Sequence, residues 1–166
     1  MAAMREEHCC SVTLIVVGDD LEPEVVTATL GWPPHKSWRR GERKRFTRPD
    51  GTERVFDSVH DWGGWKRFTA DDERGRSLQD QVAAWLERLR VKGGAFRSLR
   101  DRGWEVELDC FAATSEYLDL PVTTLGELAS LGVGLALTFS ADGDTSAAEP
   151  LYGLESQEGA PRTVTE

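Results

Sequence analysis

The chain has 166 residues, 39% hydrophobic and 30% charged, with a net charge of −9. That length suits one domain able to bury about two-thirds of its unfolded surface without staples, and no apolar run approaches the ~20 residues that cross a bilayer. Three cysteines, Cys9, Cys10 and Cys110, exclude a disulfide framework, so reduced thiols in a cytoplasm are expected.

Met1 to His8 leads straight into a strand pattern and lacks the apolar core of a signal peptide. His8 with the cysteine pair is the one imaginable metal set. No second Cys or His cluster stands at zinc spacing, so neither metal nor cofactor is expected. Val12 to Val17 is apolar on both faces, as a central strand requires. After the Gly18 turn, Pro23 at a first helical position, with Glu22 in the N-cap slot, opens a short helix. Val25, Val26 and Leu30 form its buried face, and Gly31 stops it before Pro33 and Pro34.

From His35 to Phe68 the pattern is extended and turn-rich. Arg43 to Arg48 and Thr52 to Asp57 flank Pro49-Asp50-Gly51, a plausible hairpin turn. With only Phe46, Val55 and Phe56 to pack, this hairpin is expected in solvent. Trp62 to Phe68 bends into a strand that carries Trp65 inward.

The stretch from Ser77 to Ala113 organises the rest. Leu78, Val82, Trp85, Leu86 and Leu89 form one stripe at helical spacing, and Ser77 with Asp80 resembles a capping box. Lys92-Gly93-Gly94 is expected to end that helix through a left-handed glycine. A short second helix follows through Phe96 and Leu99. After Gly103 the period changes to two in Trp104 to Cys110. Thr114 to Leu120 reads as a loop. Thr123 is placed as the N-cap of a helix through Leu125, Leu128 and Leu131, closed by Gly132. Leu135, Leu137 and Phe139 alternate as a last strand. The expected fold is therefore α+β: an antiparallel or mixed sheet of about five strands, two to three helices mainly on one face, close to a ferredoxin-like sandwich. Residues 1–140 form the domain, and 141–166 form an acidic tail expected to be disordered in isolation.

Several of these stretches together resemble the bacterial domain-of-unknown-function 4279 family. They are Val12 to Val16; Leu21 to Thr27 with Leu30-Gly31 and Pro34; Arg40-Gly41-Glu42; Trp65; Ser77-Leu78; Gly103-Trp104; and Leu125 to Leu128 before Leu131-Gly132. The resemblance runs from Ser11 to Ser140. Glu22 stands where an Asp is expected before Pro23, and the charged hairpin is longer than usual. The family implies no established activity, so it supplies no catalytic residues. It implies small bacterial proteins among which immunity-type partners of toxins are to be expected.

Charge is unevenly placed. His35 to Arg54 holds eight Lys/Arg against three acids, and Gly103 onward holds twelve acids against Arg162 alone. Glu105, Glu107 and Asp109 share one face of the Trp104 strand, about 7 Å apart. They could hold a divalent cation or do acid/base work. The simpler reading is the watered face of a sheet with helices on its other side, or a face that docks a basic protein. Lys36, Arg39, Arg40, Arg43, Lys44, Arg45 and Arg48, with Trp38 and Phe46 between them, have the ingredients of single-strand nucleic-acid binding. A solvated hairpin answering the protein's own acids is the alternative. His60 beside Asp61 and the Cys110 thiol make an enzyme only if they meet, and Cys110 is expected to face inward as an inert hydrophobe. No phosphate loop, nucleophile elbow or zinc motif is present. The reading is a non-catalytic protein-binding module without cofactor or membrane contact, immunity- or antitoxin-like in its sharpest form. Nucleic-acid binding through the hairpin is the alternative, and a small hydrolase-type enzyme stands behind that.

Overall fold

A computed structural model describes residues 10–48, 50–113 and 118–140 of the chain. Pro49, the first part of the loop expected after Ala113 and the acidic tail lie outside the described residues. The elements run β1 (Cys10–Gly18), α1 (Pro23–Leu30), β2 (Lys36–Trp38), β3 (Arg43–Thr47), β4 (Glu53–Val59) and β5 (Gly63–Phe68). Then follow α2 (Leu78–Arg90), α3 (Gly93–Asp101), β6 (Glu105–Ala113), α4 (Val122–Leu131) and β7 (Gly134–Ser140). Five strands form a mixed sheet of order β2-β5-β1-β6-β7, and β3 and β4 form a separate two-stranded ribbon.

The central place of β1 follows from its sequence. Val12, Leu14 and Val16 are fully buried on one face. They stand opposite Cys110, Leu108 and Val106 of antiparallel β6. One core unites them with Val26 and Leu30 of α1, Leu78, Val82, Trp85, Leu86 and Leu89 of α2, Phe96 and Leu99 of α3, and Leu128 of α4. All four helices thus lie on this side of the sheet. Burying each of these large side chains contributes about 1.5–3 kcal/mol. The buried indoles satisfy their polar ends locally. Trp65 Nε1 donates to Thr27 Oγ1 at 3.1 Å. Trp85 Nε1 donates to Thr69 Oγ1 at 3.0 Å, and that hydroxyl donates to the Val12 carbonyl at 2.7 Å. Without such partners, desolvating these groups would cost about 1–3 kcal/mol each.

The helix ends agree with sequence expectation at some positions and depart at others. Ser77 Oγ accepts the Asp80 amide at 3.2 Å. Pro23 opens α1 behind Glu22, which makes no side-chain cap bond. Gly31 and Gly132 close α1 and α4 at φ 70° and 67°, the left-handed region that a side chain disfavours. Gly93 and Gly94, expected as a left-handed break, instead form the first turn of α3. The chain turns at Val91 with ordinary right-handed backbone. An ideal Cβ on Gly93 would stand 3.2 Å from Leu131 Cδ2, so this glycine serves close packing of α3 on α4. Thr123 is not the cap of α4. The helix begins one residue earlier, behind Pro121, and has no side-chain cap.

The α+β expectation holds, with four helices among the described residues where two to three were expected. The ferredoxin-like detail is not confirmed. β7 runs parallel to β6, joined through α4, while every other pairing is antiparallel. The ribbon stands in solvent as its composition demands, with no buried residue in β3 or β4. No helix among the described residues is long and apolar enough to cross a membrane.

Candidate functional site

The face of the sheet opposite the helices carries β6 residues Glu105, Glu107 and Asp109. Strand pleating puts them in one row, and their register neighbours on β1 are Val17, Ile15 and Thr13. Glu105 is exposed, whereas Glu107 and Asp109 are half-buried. Burial raises the Glu107 carboxyl above its ordinary value, and the charges of Asp109 and Glu105 raise it further. Burial likewise raises Asp109, while Lys66 opposes the shift. Among the described residues no three His, Cys, Asp or Glu side chains gather as a metal site, so the cation reading of this row has no support.

Across β1 the same face changes character. Lys36 and Lys66 are register neighbours on β2 and β5, and their ammonium groups stand 5.9 and 5.3 Å from the Trp38 ring centroid. Trp38 lies flat over Gly64, where an added Cβ would come within 2.1 Å of Cζ2. That contact explains why a central strand tolerates glycine. Its Nε1 donates to the Trp62 carbonyl at 3.1 Å, and its ring stacks on His60 at 4.8 Å. The open face is therefore cationic and aromatic at the β2–β5 edge and acidic along β6.

The basic ribbon is partly answered by the protein's own acids. Arg39 pairs with Glu24 at 2.6 Å and Arg45 with Glu53 at 3.6 Å, all well exposed, where such pairs are worth about 0.2–1 kcal/mol. Arg40 and Arg43 are exposed, and Lys44 is half-buried. Phe46 stands opposite Arg54 rather than beside Trp38, so the aromatic interleaving expected from sequence is divided between ribbon and sheet.

The Cys110–His60 pair does not form. Cys110 is 1% exposed on the helix side, and burial pushes its thiol up to about 12, which leaves it un-ionised at neutral pH. His60 stacks on Trp38, on the other side of the sheet.

One arrangement escaped the sequence. On the helix side, at the C-terminal end of β5, a cleft of about 450 Å³ is lined by Trp32, His35, Arg67, Thr69, Asp71, Trp85 and Arg88 among others. Trp32 and Trp85 meet edge to face at 6.3 Å. Arg88 is tied to Glu73 at 2.7 Å. Half-buried Arg67 donates to the Pro33 carbonyl at 2.6 Å. Desolvation and the neighbouring Arg88 charge lower the pKa of Arg67. The His35 ring stacks on Phe68 at 5.1 Å, and its Nδ1 accepts the Phe68 amide at 2.9 Å. Desolvation and then Arg67 lower its pKa, which favours the neutral ring.

The model of the family described as Domain of unknown function (DUF4279) matches residues 8–141. The chain belongs to that family. Comparison with curated proteins gave no match, and comparison with solved structures gave none.

Proposed function

We propose that this member of the family works as a non-catalytic, protein-binding module whose open sheet face docks a basic segment of another protein. The observation that carries this reading is the row Glu105, Glu107 and Asp109. These like charges lie side by side on a helix-free face, with the Glu107 carboxyl driven upward by burial and by its acidic neighbours. Cations brought against the row would relieve that repulsion and gain charge complementarity. Ile15, Val17 and Phe111, half-buried on the same face, supply the apolar part that a protein interface needs. The sharpest form of the reading is an immunity- or antitoxin-like role toward a basic protein.

The test is capture of a partner from host lysate by the tagged protein, compared across two double variants. A stoichiometric protein is expected with wild type and with Arg43→Glu/Arg45→Glu, and is expected to be lost with Glu105→Lys/Glu107→Lys. Nucleic acid that co-purifies, is stripped by salt and is lost with the arginine variant would overturn it in favour of the ribbon. The pairing of Arg39 with Glu24 and of Arg45 with Glu53 weakens that alternative beforehand.

A further inference from the structure

The cleft beside α2 lies away from the open sheet face, and its chemistry differs from that of a solvated helix edge. Arg67 is half-buried, yet among the described residues it has no carboxylate partner. Its bond to the neutral Pro33 carbonyl uses one of the five N–H donors that a guanidinium carries. Arg88 brings a second guanidinium to the same cleft, and its anchoring by Glu73 fixes it in place. Glu73 meets the Arg88 charge, and Asp71 of the lining is held by Arg74, so the donors left for an anion are chiefly those of Arg67. The rings of Trp32 and Trp85, which meet edge to face, line the cleft and give it an apolar surface for a planar ring. A cleft of about 450 Å³ has the volume of a small-molecule site.

From these contacts we infer that the cleft binds a small organic anion, a carboxylate or phosphate carried on a planar aromatic ring. Arg67 takes the anionic group and Trp32 lies against the ring. Arg88 faces the anion's second oxygen with the N–H donors that Glu73 leaves over. The inference is independent of the protein-docking reading, because the sheet face and the cleft lie on opposite sides of β5.

Calorimetric titration with four related probes separates the parts of the site. 2-Naphthoate and 2-naphthyl phosphate carry ring and charge, 2-naphthol carries the ring without the charge, and inorganic phosphate carries the charge without the ring. Both naphthyl anions are expected to bind at least tenfold more tightly than 2-naphthol and than inorganic phosphate. They are expected to shift the Trp32 indole N–H resonance in a nitrogen–proton correlation spectrum. Arg67→Gln is expected to weaken the naphthyl anions at least tenfold and to leave 2-naphthol unchanged. Equal affinity for 2-naphthol and 2-naphthoate would overturn the inference, and so would naphthyl anions that leave the Trp32 resonance unmoved. The wild-type comparisons decide the matter even if Arg67→Gln fails to fold.

Discussion

The two faces of the five-stranded sheet are made by the same strands, and alternate residues of β1 and β6 see opposite surroundings. On one face Val12, Leu14 and Val16 meet Cys110, Leu108 and Val106 under four helices. On the other, Thr13, Ile15 and Val17 meet Asp109, Glu107 and Glu105. The first face is a packing problem whose answer is volume and shape. The second is an electrostatic problem, in which charge is gathered rather than spread. A face that served only to stay wet would be expected to alternate its charges with those of the next strand. Here the acids run down β6, and the lysines stand two and three strands away, on β5 and β2.

Four variants test that contrast, and the sizes of their expected effects on stability diminish in order. Trp65→Ala, on the helix side, removes a fully buried ring and leaves Thr27 without its indole partner. A loss of about 3–5 kcal/mol is expected in urea unfolding. A loss under ~1 kcal/mol would mean the helix layer does not pack as described. Gly64→Ala, on the open side, drives a methyl into the Trp38 ring. It should cost about 1–3 kcal/mol, and a Trp38→Ala background should recover part of that loss.

The next change runs the other way. Glu107→Gln with Asp109→Asn should raise the melting temperature at pH 7. Both carboxyls have folded-state values above their ordinary ones. Their ionised forms therefore weaken the fold above the folded value, and the penalty fades as pH falls through it toward the unfolded value. The gain should shrink toward zero as the pH approaches 4. A gain that persisted there would exclude electrostatics as its source. Smallest of all, Glu105→Lys at an exposed position should stay within about 0.5 kcal/mol of wild type, even though it belongs to the variant expected to lose the partner. A large stability change there would make loss of binding uninterpretable.

The helix-side face was largely legible in the sequence because its signals are periodic. The stripe from Leu78 to Leu89, the alternation from Trp104 to Cys110 and the Ser77 cap each repeat or punctuate locally, and each stands where its spacing put it. Gly93 misled because a glycine after a helical stripe is the same letter whether it ends one helix or lets the next pack closely on Leu131. Thr123 misled because Pro121 had already stopped the preceding backbone from being helical. The acidic row was legible as a row, but its half-burial was not, since that depends on what neighbouring strands place alongside. The cleft was invisible for a plainer reason. Trp32, His35, Arg67, Trp85 and Arg88 come from separate segments, and no spacing in one chain announces that they will meet.

The antiparallel pairing of β1 with β6 also sets a timetable. β1 precedes β6 in the chain, and its partner residues on β6 emerge roughly 90 residues later. At a synthesis rate of about 5–20 residues per second, the Val12–Val17 hexad waits roughly 5–20 s with one edge bare. That hexad is uncharged, apolar but for Thr13 and rich in β-branched residues, a composition prone to pair with copies of itself. β5, which arrives about midway, can cover one edge only. The growing chain thus passes through a stage in which a strand buried in the finished core has an unpaired edge, until β6 pairs with it.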